Sequence, residues 1–412
     1  MPSLTIRIDA VEILKYTEGG WIMLNEDSLT LSKSLTVLFA VGAAIAVANL
    51  YYNQPILGLL GKTFGKTTAQ SGLLSTLTQT GYALGLLFIA PLGDMVPRKP
   101  LLILLSFISA VILLFMAFAP SMAVLYILSL LLGIVTVIPQ ILVPTAADLA
   151  ADHQRGKVIG TVMGGLLLGV LAARTISGFI AAISSWRTVF FVAALAMLVL
   201  AIIFLRYLRA LPRKQSLRYS ELYRSMFLLW RAHSILRQAS LIGAMLFGAF
   251  SVLWTVLSFR LTAPPYHVGS AVVGLFGLVG MAGAIGAPIT GRISDIRGPR
   301  FMIAVGILTV LASYIILLFF SNQLLWLIVG IIALDFGTQA GQISNQARIY
   351  ALNSSARSRL TSIYMVIYFF GGALGSGLGS LFYGIDGFTG ACIVALVLVI
   401  TAYIIHVWPT RA

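Results

Sequence analysis

Long apolar stretches separated by short polar intervals run through this chain from about residue 33 onward. They fall roughly at 34–54, 70–92, 100–119, 122–144, 158–182 and 187–207. After a basic interval come 238–260, 270–290, 301–320, 323–346, 361–384 and 388–408. Each is close to the ~20 residues that a helix needs to cross a bilayer. The pattern predicts an all-α membrane protein of about twelve transmembrane helices, spans one to twelve in chain order. Between spans six and seven, Leu222, Met226 and Leu229 share one helical face, while Arg218, Glu221 and Arg224 lie away from it. That is the pattern of an amphipathic helix lying at a membrane surface.

Composition agrees: 59% of the 412 residues are hydrophobic and only 9% are charged, too few charges for a soluble surface of this length. The formal net charge of +15 does not point to nucleic acid, because the basic residues sit in short loops between spans. One set of loops holds Arg98, Lys99, Arg155, Lys157, Arg292, Arg297, Arg300, Arg348, Arg357 and Arg359, and the interval from Arg206 to Arg237 belongs with them. The opposite loops hold only Lys62, Lys66, Arg187 and Arg260. The richer side is expected to be cytoplasmic, and an even number of spans then puts both termini there.

Residues 1–32 read as a tail of mixed character, with acids at Asp9, Glu12, Glu18, Glu26 and Asp27. Met23 is a second candidate start, because Glu18-Gly19-Gly20 has purine-rich codons just upstream of it. Span one is too long for a signal-peptide core and is expected to remain in the mature protein. The expected organisation is a tail (1–32), a first bundle (33–208), a basic linker (209–236), a second bundle (237–408) and a short end (409–412).

The halves echo each other at an offset of about 200 residues. The run from Ala90 to Lys99 after span two matches Gly291 to Arg300 after span eight, so that Asp94 meets Asp295 and Lys99 meets Arg300. Gln140, Arg155, Lys157, Met163 and Gly169 match Gln342, Arg357, Arg359, Met365 and Gly371 at one common spacing. Two echoes at equivalent loops predict duplicated, pseudo-symmetric six-helix bundles, an architecture that places its site near the midplane between repeats.

The Asp–x–x–Gly–Arg-like loops after spans two and eight resemble the signature loop of the major facilitator superfamily, and the resemblance covers nearly everything from residue 33. Within it the chain is similar to the bacterial drug:proton antiporter branch. It is closest to a subgroup with Asn49-Leu50-Tyr51-Tyr52-Asn53-Gln54-Pro55 ending span one. That subgroup also has Leu334-Asp335-Phe336-Gly337 and Ser344-Asn345-Gln346-Ala347-Arg348-Ile349-Tyr350 in span ten. The resemblance implies alternating access around a cavity lined by spans one, four, seven and ten. It also implies a latch in which Asp94 meets the N-terminal end of span eleven, a site favourable to a carboxylate, with Arg98, Lys99, Asp295 and Arg300 around it. Ala90 and Pro97 stand where the signature loop has glycine. Span five resembles the branch's antiporter motif, with Ala173-Arg174 in place of Gly–Pro, and span four lacks the arginine that many relatives carry.

Ionisable side chains inside a span are costly and usually have a job or a partner. Asp335 falls near the middle of span ten, and Gln339, Gln342 and Gln346 continue its helical stripe. Low dielectric penalises a charged carboxylate, which suits Asp335 to proton coupling or to pairing with a cationic solute; a structural carboxylate is the plainer alternative. Arg174 lies in the outer part of span five. It could bind an anion, pair with Asp335, or reach out to the membrane surface. Asn49, Tyr52 and Asn53 in span one, Gln79 in span two, Gln140 in span four, Trp254 in span seven, and Tyr364 and Tyr368 in span eleven are further cavity or gate candidates.

Enzymatic motifs are absent. There is no GxxxxGK[ST] loop for ATP, the dispersed His153, His233, His267 and His406 have no metal-ligand spacing, and the single Cys392 excludes a disulfide within the chain. No cofactor or metal is expected. The leading expectation is a monomeric secondary transporter in the bacterial inner membrane, exporting a small organic solute in exchange for protons. Metabolite uptake or facilitated diffusion is a second reading, and a membrane sensor or lipid-handling protein a third.

Overall fold

The computed structural model describes residues 5–8, 12–17, 20–25, 33–151, 153–208, 219–284, 286–352 and 356–409. Within the expected tail, β1 (Thr5–Ile8), β2 (Glu12–Thr17) and β3 (Gly20–Asn25) form an antiparallel meander in the order β1-β2-β3. The candidate start Met23 falls inside β3, paired with Leu14.

Among the described residues that follow, every regular element is a helix. In the first half, α1 (Lys33–Ala48) leads through a turn and a 3-10 segment (Gln54–Ile56) into α2 (Leu57–Phe64). Then come α3 (Thr68–Phe88), α4 (Leu92–Met95), α5 (Arg98–Ala117), α6 (Met122–Val135), α7 (Ile138–Leu149), α8 (Arg155–Ile183) and α9 (Trp186–Tyr207). The linker holds α10 (Tyr219–Ala232). The second half has α11 (Ser234–Thr262), α12 (Ser270–Ala284), α13 (Ala287–Arg297), α14 (Pro299–Phe320), α15 (Leu324–Tyr350) and α16 (Arg357–Val407).

Four spans are interrupted, and each break coincides with a proline that cannot donate a helical hydrogen bond. Pro55 separates α1 from α2, Pro91 separates α3 from α4, Pro139 opens α7, and Pro288 opens α13. Conversely, α16 joins two spans across non-helical Asp386 and Gly387, and the φ of 57° at position 387 is one that glycine adopts without strain. With α16 counted as two spans, the described residues form twelve membrane-crossing segments. Helices run past the apolar limits at several basic ends, as α7 does to Leu149 and α15 to Tyr350. A hydropathy profile loses such turns where polar side chains leave the bilayer.

All the breaks between spans on one side of the molecule carry the basic residues named above. The opposite face is called the far side here. The halves meet mainly towards the far side, through three pseudo-symmetric contacts. The α3–α16 contact is so close that a Cβ on Gly72 would lie 2.2 Å from the Ser380 Cβ. The α8–α12 contact brings Gly178 against Gly274, and Thr175 Oγ1 donates to the Gly274 carbonyl at 3.0 Å. The α2–α11 contact is a hydrogen bond from the Gly58 N–H to Ser258 Oγ at 3.1 Å. Small residues permit this approach of backbones, as is common between membrane helices. The far side of the protein is therefore closed.

The linker helix α10 has the amphipathic form that its sequence predicts. Met226 is buried, Leu222 and Leu229 pack against the core, and Glu221 and Arg224 are exposed. Arg218 lies outside the described residues. The Tyr219 and Tyr223 hydroxyls donate to the carbonyls of Phe88 (2.6 Å) and Leu87 (2.5 Å) at the basic end of α3. Ser225 accepts a hydrogen bond from Arg359 of α16. One surface helix thus ties the two halves together.

Candidate functional site

Arg174 is fully enclosed, with 1% of its surface exposed. Its place in α8 faces the other half of the molecule, and it does not reach out to the membrane surface. Its Nε donates to Gln54 Oε1 at 2.8 Å. Pro55 fixes the turn that presents Gln54, at the interruption between α1 and α2. The guanidinium Cζ lies 3.6 Å from the centroid of the Trp254 ring, 5.0 Å from Tyr51 and 5.7 Å from Phe250. A desolvated cation over an aromatic face gains about 2 kcal/mol. The cage is shared: Tyr51 and Gln54 belong to the first half, Trp254 and Phe250 to the second.

Asp335 approaches the same indole from α15 and is also buried, with 7% exposed. Gly280 of α12 makes the space. A Cβ there would lie 2.9 Å from Trp254 Cζ2 and 3.1 Å from Asp335 Oδ1. Arg174 and Asp335 feel each other's charge without forming an ion pair; those among the described residues belong to Arg98. Arg174 Nη2, Asp335 Oδ2 and Trp254 Nε1 are buried and make no hydrogen bond among the described residues. A buried polar atom left in that condition costs about 1–3 kcal/mol. Donors and an acceptor of opposite charge thus surround one aromatic plane, which suits binding of a polar group attached to a flat apolar body.

The asymmetry between halves has a steric basis. In the repeat, Gly133 corresponds to Asp335 and Gln79 to Gly280. A Cβ on Gly133 would lie 2.2 Å from the Thr78 carbonyl oxygen, so α6 has no room for a carboxylate where α15 carries one. In the first half, span two keeps the larger side chain. Gln79 spans the interface, donating to Ser376 Oγ at 2.8 Å and accepting from Ser251 Oγ at 3.3 Å, while Thr255 Oγ1 donates to Ser376 Oγ at 3.0 Å. Ser376 is the counterpart of Arg174, so the polar roles at these positions are exchanged between halves.

Asn53 holds α3 through Thr78 (3.2 Å) and Ser75 (3.3 Å), and the Tyr52 carbonyl accepts from Ser177 at 2.5 Å, so both are structural links. Asn49 is buried with both side-chain polar atoms unpaired among the described residues. Gln140 donates to the Tyr82 hydroxyl at 3.3 Å, and Gln342 accepts from the Tyr368 hydroxyl at 3.3 Å. Gln339 and Gln346 are half-buried on the same helix as Gln342. Tyr364 and Tyr368 extend a chain of rings from Trp254 towards the basic side. Successive centroids are 6.0 Å apart for Trp254–Phe250, 5.6 Å for Phe250–Phe247, 4.1 Å for Phe247–Tyr368 and 5.7 Å for Tyr368–Tyr364.

At the basic side, Arg98 is buried and closes a small network. Its guanidinium reaches Asp94 (3.0 Å), Asp148 (3.0 Å) and the Gly93 carbonyl (2.8 Å). These bonds of Asp94 stay inside the first half; residues 353–355, which precede span eleven, lie outside the described residues. Lys99 sits in the first turn of α5, and Asp295 and Arg300 are exposed around the start of α14.

Sequence reasoning overlooked Gln54, Tyr51, Phe250 and Gly280 as site residues. Gln54 and Tyr51 were within a recognised run, and Pro55 marks a break that turns side chains inward. Gly280 is one glycine among 39 and carried no signal.

The model of the Major Facilitator Superfamily matches residues 39–347 and, again, 239–411. The transporter YgaY of Escherichia coli O157:H7 is 39% identical over 363 residues, covering 88% of this chain and 92% of that protein. The inner membrane transport protein YnfM of Escherichia coli K12 is 28% identical over 371 residues, covering 88% of this chain and 87% of that one. Among solved structures, a bacterial homologue of the human lysosomal transporter Spinster, inward-facing and occupied, superposes with a TM-score of 0.75. Its identity is 17% over 90% of this chain and 95% of that chain.

Proposed function

From the premise that this chain belongs to the Major Facilitator Superfamily, as a multi-pass membrane transporter and not an enzyme, we propose that it exports a small, flat organic solute in exchange for protons. The observation that carries the reading is the meeting of Arg174 and Asp335, one from each half, over the single indole of Trp254. A carboxylate at the seam between two moving halves couples its proton to their relative position, because each conformation changes its solvation and its distance from the arginine. The solute would lie against the rings between Trp254 and Tyr364, with its polar group on Arg174 or Asp335. Gln342 supports the same surface through Tyr368, and Gln339 and Gln346 continue it.

In this reading the far-side contacts open and the basic-side contacts close during the cycle. Asp94, Arg98 and Asp148 would form the latch on the basic, cytoplasmic side, with Lys99, Asp295 and Arg300 at its edge. The membrane is the bacterial inner membrane, where the relative YnfM is named as residing.

The experiment is solute flux in proteoliposomes holding the purified protein, with an imposed pH gradient and planar aromatic dyes as probes. Gradient-driven accumulation by wild type and its loss in Asp335→Asn are expected. Accumulation that ignores the gradient, or persists unchanged in Asp335→Asn, overturns proton coupling and favours facilitated diffusion.

A further inference from the structure

The basic-side corner of the second half has lost the acid that neutralises its counterpart in the first. In the first half Arg98 lies between Asp94 and Asp148. In the second half Asp295 is exposed, and Tyr350 stands at the position corresponding to Asp148. Arg300 and Arg348 meet there beside the His406 imidazole, and the two guanidinium charges act on one another.

The cluster is built into the fold. Arg348 Nη2 donates to Gln238 Oε1 at 2.9 Å, and Gln238 Nε2 in turn donates to the carbonyls of Ile405 (2.8 Å) and Trp408 (3.0 Å). That amide pins the end of α16 beside Arg348. Arg300 Nη2 reaches the His406 carbonyl at 3.4 Å. The His406 side chain is enclosed, with 7% exposed, and its Nδ1 has no hydrogen-bond partner among the described residues; Arg348 Nη1 is likewise buried and unpaired. The ion pairs among the described residues all belong to Arg98, so no described carboxylate offsets this charge. Like charges with unpaired buried donors are unfavourable unless an anion completes them.

We propose that this corner binds the phosphate of an anionic phospholipid headgroup. The three residues lie at the basic-side ends of α14, α15 and α16, the ends that a membrane-crossing helix brings to the headgroups. Exposed Phe301, Ile404, Val407 and Trp408 adjoin them on α14 and α16, an apolar collar for acyl chains with an aromatic at the interface. Basic pockets between membrane helices at this level hold lipid phosphates. A soluble phosphate has the same oxyanion but no use for the collar. The inference does not depend on what the central site transports.

The test is native mass spectrometry of the full-length protein in detergent, titrated with phosphatidylglycerol, cardiolipin or phosphatidylcholine. A parallel arm measures thermal protection by inorganic phosphate. Wild type retains the two anionic lipids in preference to phosphatidylcholine. Arg348→Gln weakens their retention about fivefold, the equivalent of about 1 kcal/mol for one basic residue, and leaves phosphatidylcholine unchanged. Arg300→Gln, whose side chain is exposed and among the described residues hydrogen-bonds one backbone carbonyl, gives the same loss and covers the case in which Arg348→Gln misfolds. Equal retention of anionic lipid by a folded variant and wild type overturns the site. Protection by inorganic phosphate as strong as by phosphatidylglycerol assigns the corner to a soluble phosphate and overturns the lipid.

Discussion

Removing either charge at the central site should destabilise the protein, and removing both should restore part of what each loss costs. Arg174→Gln leaves Asp335 buried without its nearest cation and strips the ring of Trp254 of its stacking partner. Removing one partner of a buried salt bridge costs about 3–5 kcal/mol, and the loss here is smaller because the two groups lie beyond ion-pair distance. Asp335→Asn is milder, because Arg174 keeps Gln54 and three rings. At about 4 Å two unit charges interact by about 4 kcal/mol at an effective dielectric of about 20, and this pair, beyond ion-pair distance, falls below that. The double variant should therefore be more stable than the sum of the single effects by about 2 kcal/mol. Cys392 supplies the assay: it is the only cysteine in the chain and is 1% exposed, so a thiol-reactive fluorophore reports unfolding directly. Additivity of the two substitutions to within about 0.5 kcal/mol would refute the coupling across the seam.

Gly280→Ala sets a Cβ 2.9 Å from Trp254 Cζ2 and 3.1 Å from Asp335 Oδ1 and pushes both aside; overpacking of this kind costs about 1–3 kcal/mol, so dye transport should be lost and the thiol-labelling midpoint should fall. Gln79→Ala removes the two hydrogen bonds that tie α3 to Ser376 and Ser251. At about 1 kcal/mol each this should lengthen distances between spin labels at the far ends of α3 and α16. Tyr223→Phe loses the bond to the Leu87 carbonyl, and proteolysis within α10 should quicken several-fold. Burial, and then the neighbouring Tyr219, hold the Tyr223 hydroxyl above the usual tyrosine range. The folded state thus prefers the neutral form, and that preference costs nothing below the ordinary value of about 10. The proteolysis rate should therefore be flat between about pH 6 and 9 and rise only in stronger alkali.

Hydropathy placed the spans because a bilayer leaves the backbone no alternative to helix. Even the split of α16 was visible, since Gly387 and Asp386 interrupt the apolar run. The continuation of α1 into α2 was not, because Pro55 and the polar residues from Asn49 to Gln54 look like the end of a helix rather than an interruption in one. Asp335 and Arg174 stood out as charges in lipid-like surroundings. Their meeting at Trp254 did not, since one lies in each half and only the packing of α8 against α12 brings them together. The strands β1 to β3 had no clear sequence signature within the mixed tail. The proposed latch residues were read from the duplicated loop, yet Asp148, which Arg98 bonds, was missed because it lies fifty positions from Arg98 and outside both copies of that loop.

The claim that Asp335 carries the coupling proton is tested most directly by comparing two fluxes in one set of proteoliposomes. Solute exchange at equal pH needs only alternating access, whereas accumulation under a pH gradient also needs the proton. The account predicts that Asp335→Asn keeps exchange near the wild-type rate and loses accumulation. Accumulation at the wild-type level in Asp335→Asn would contradict it.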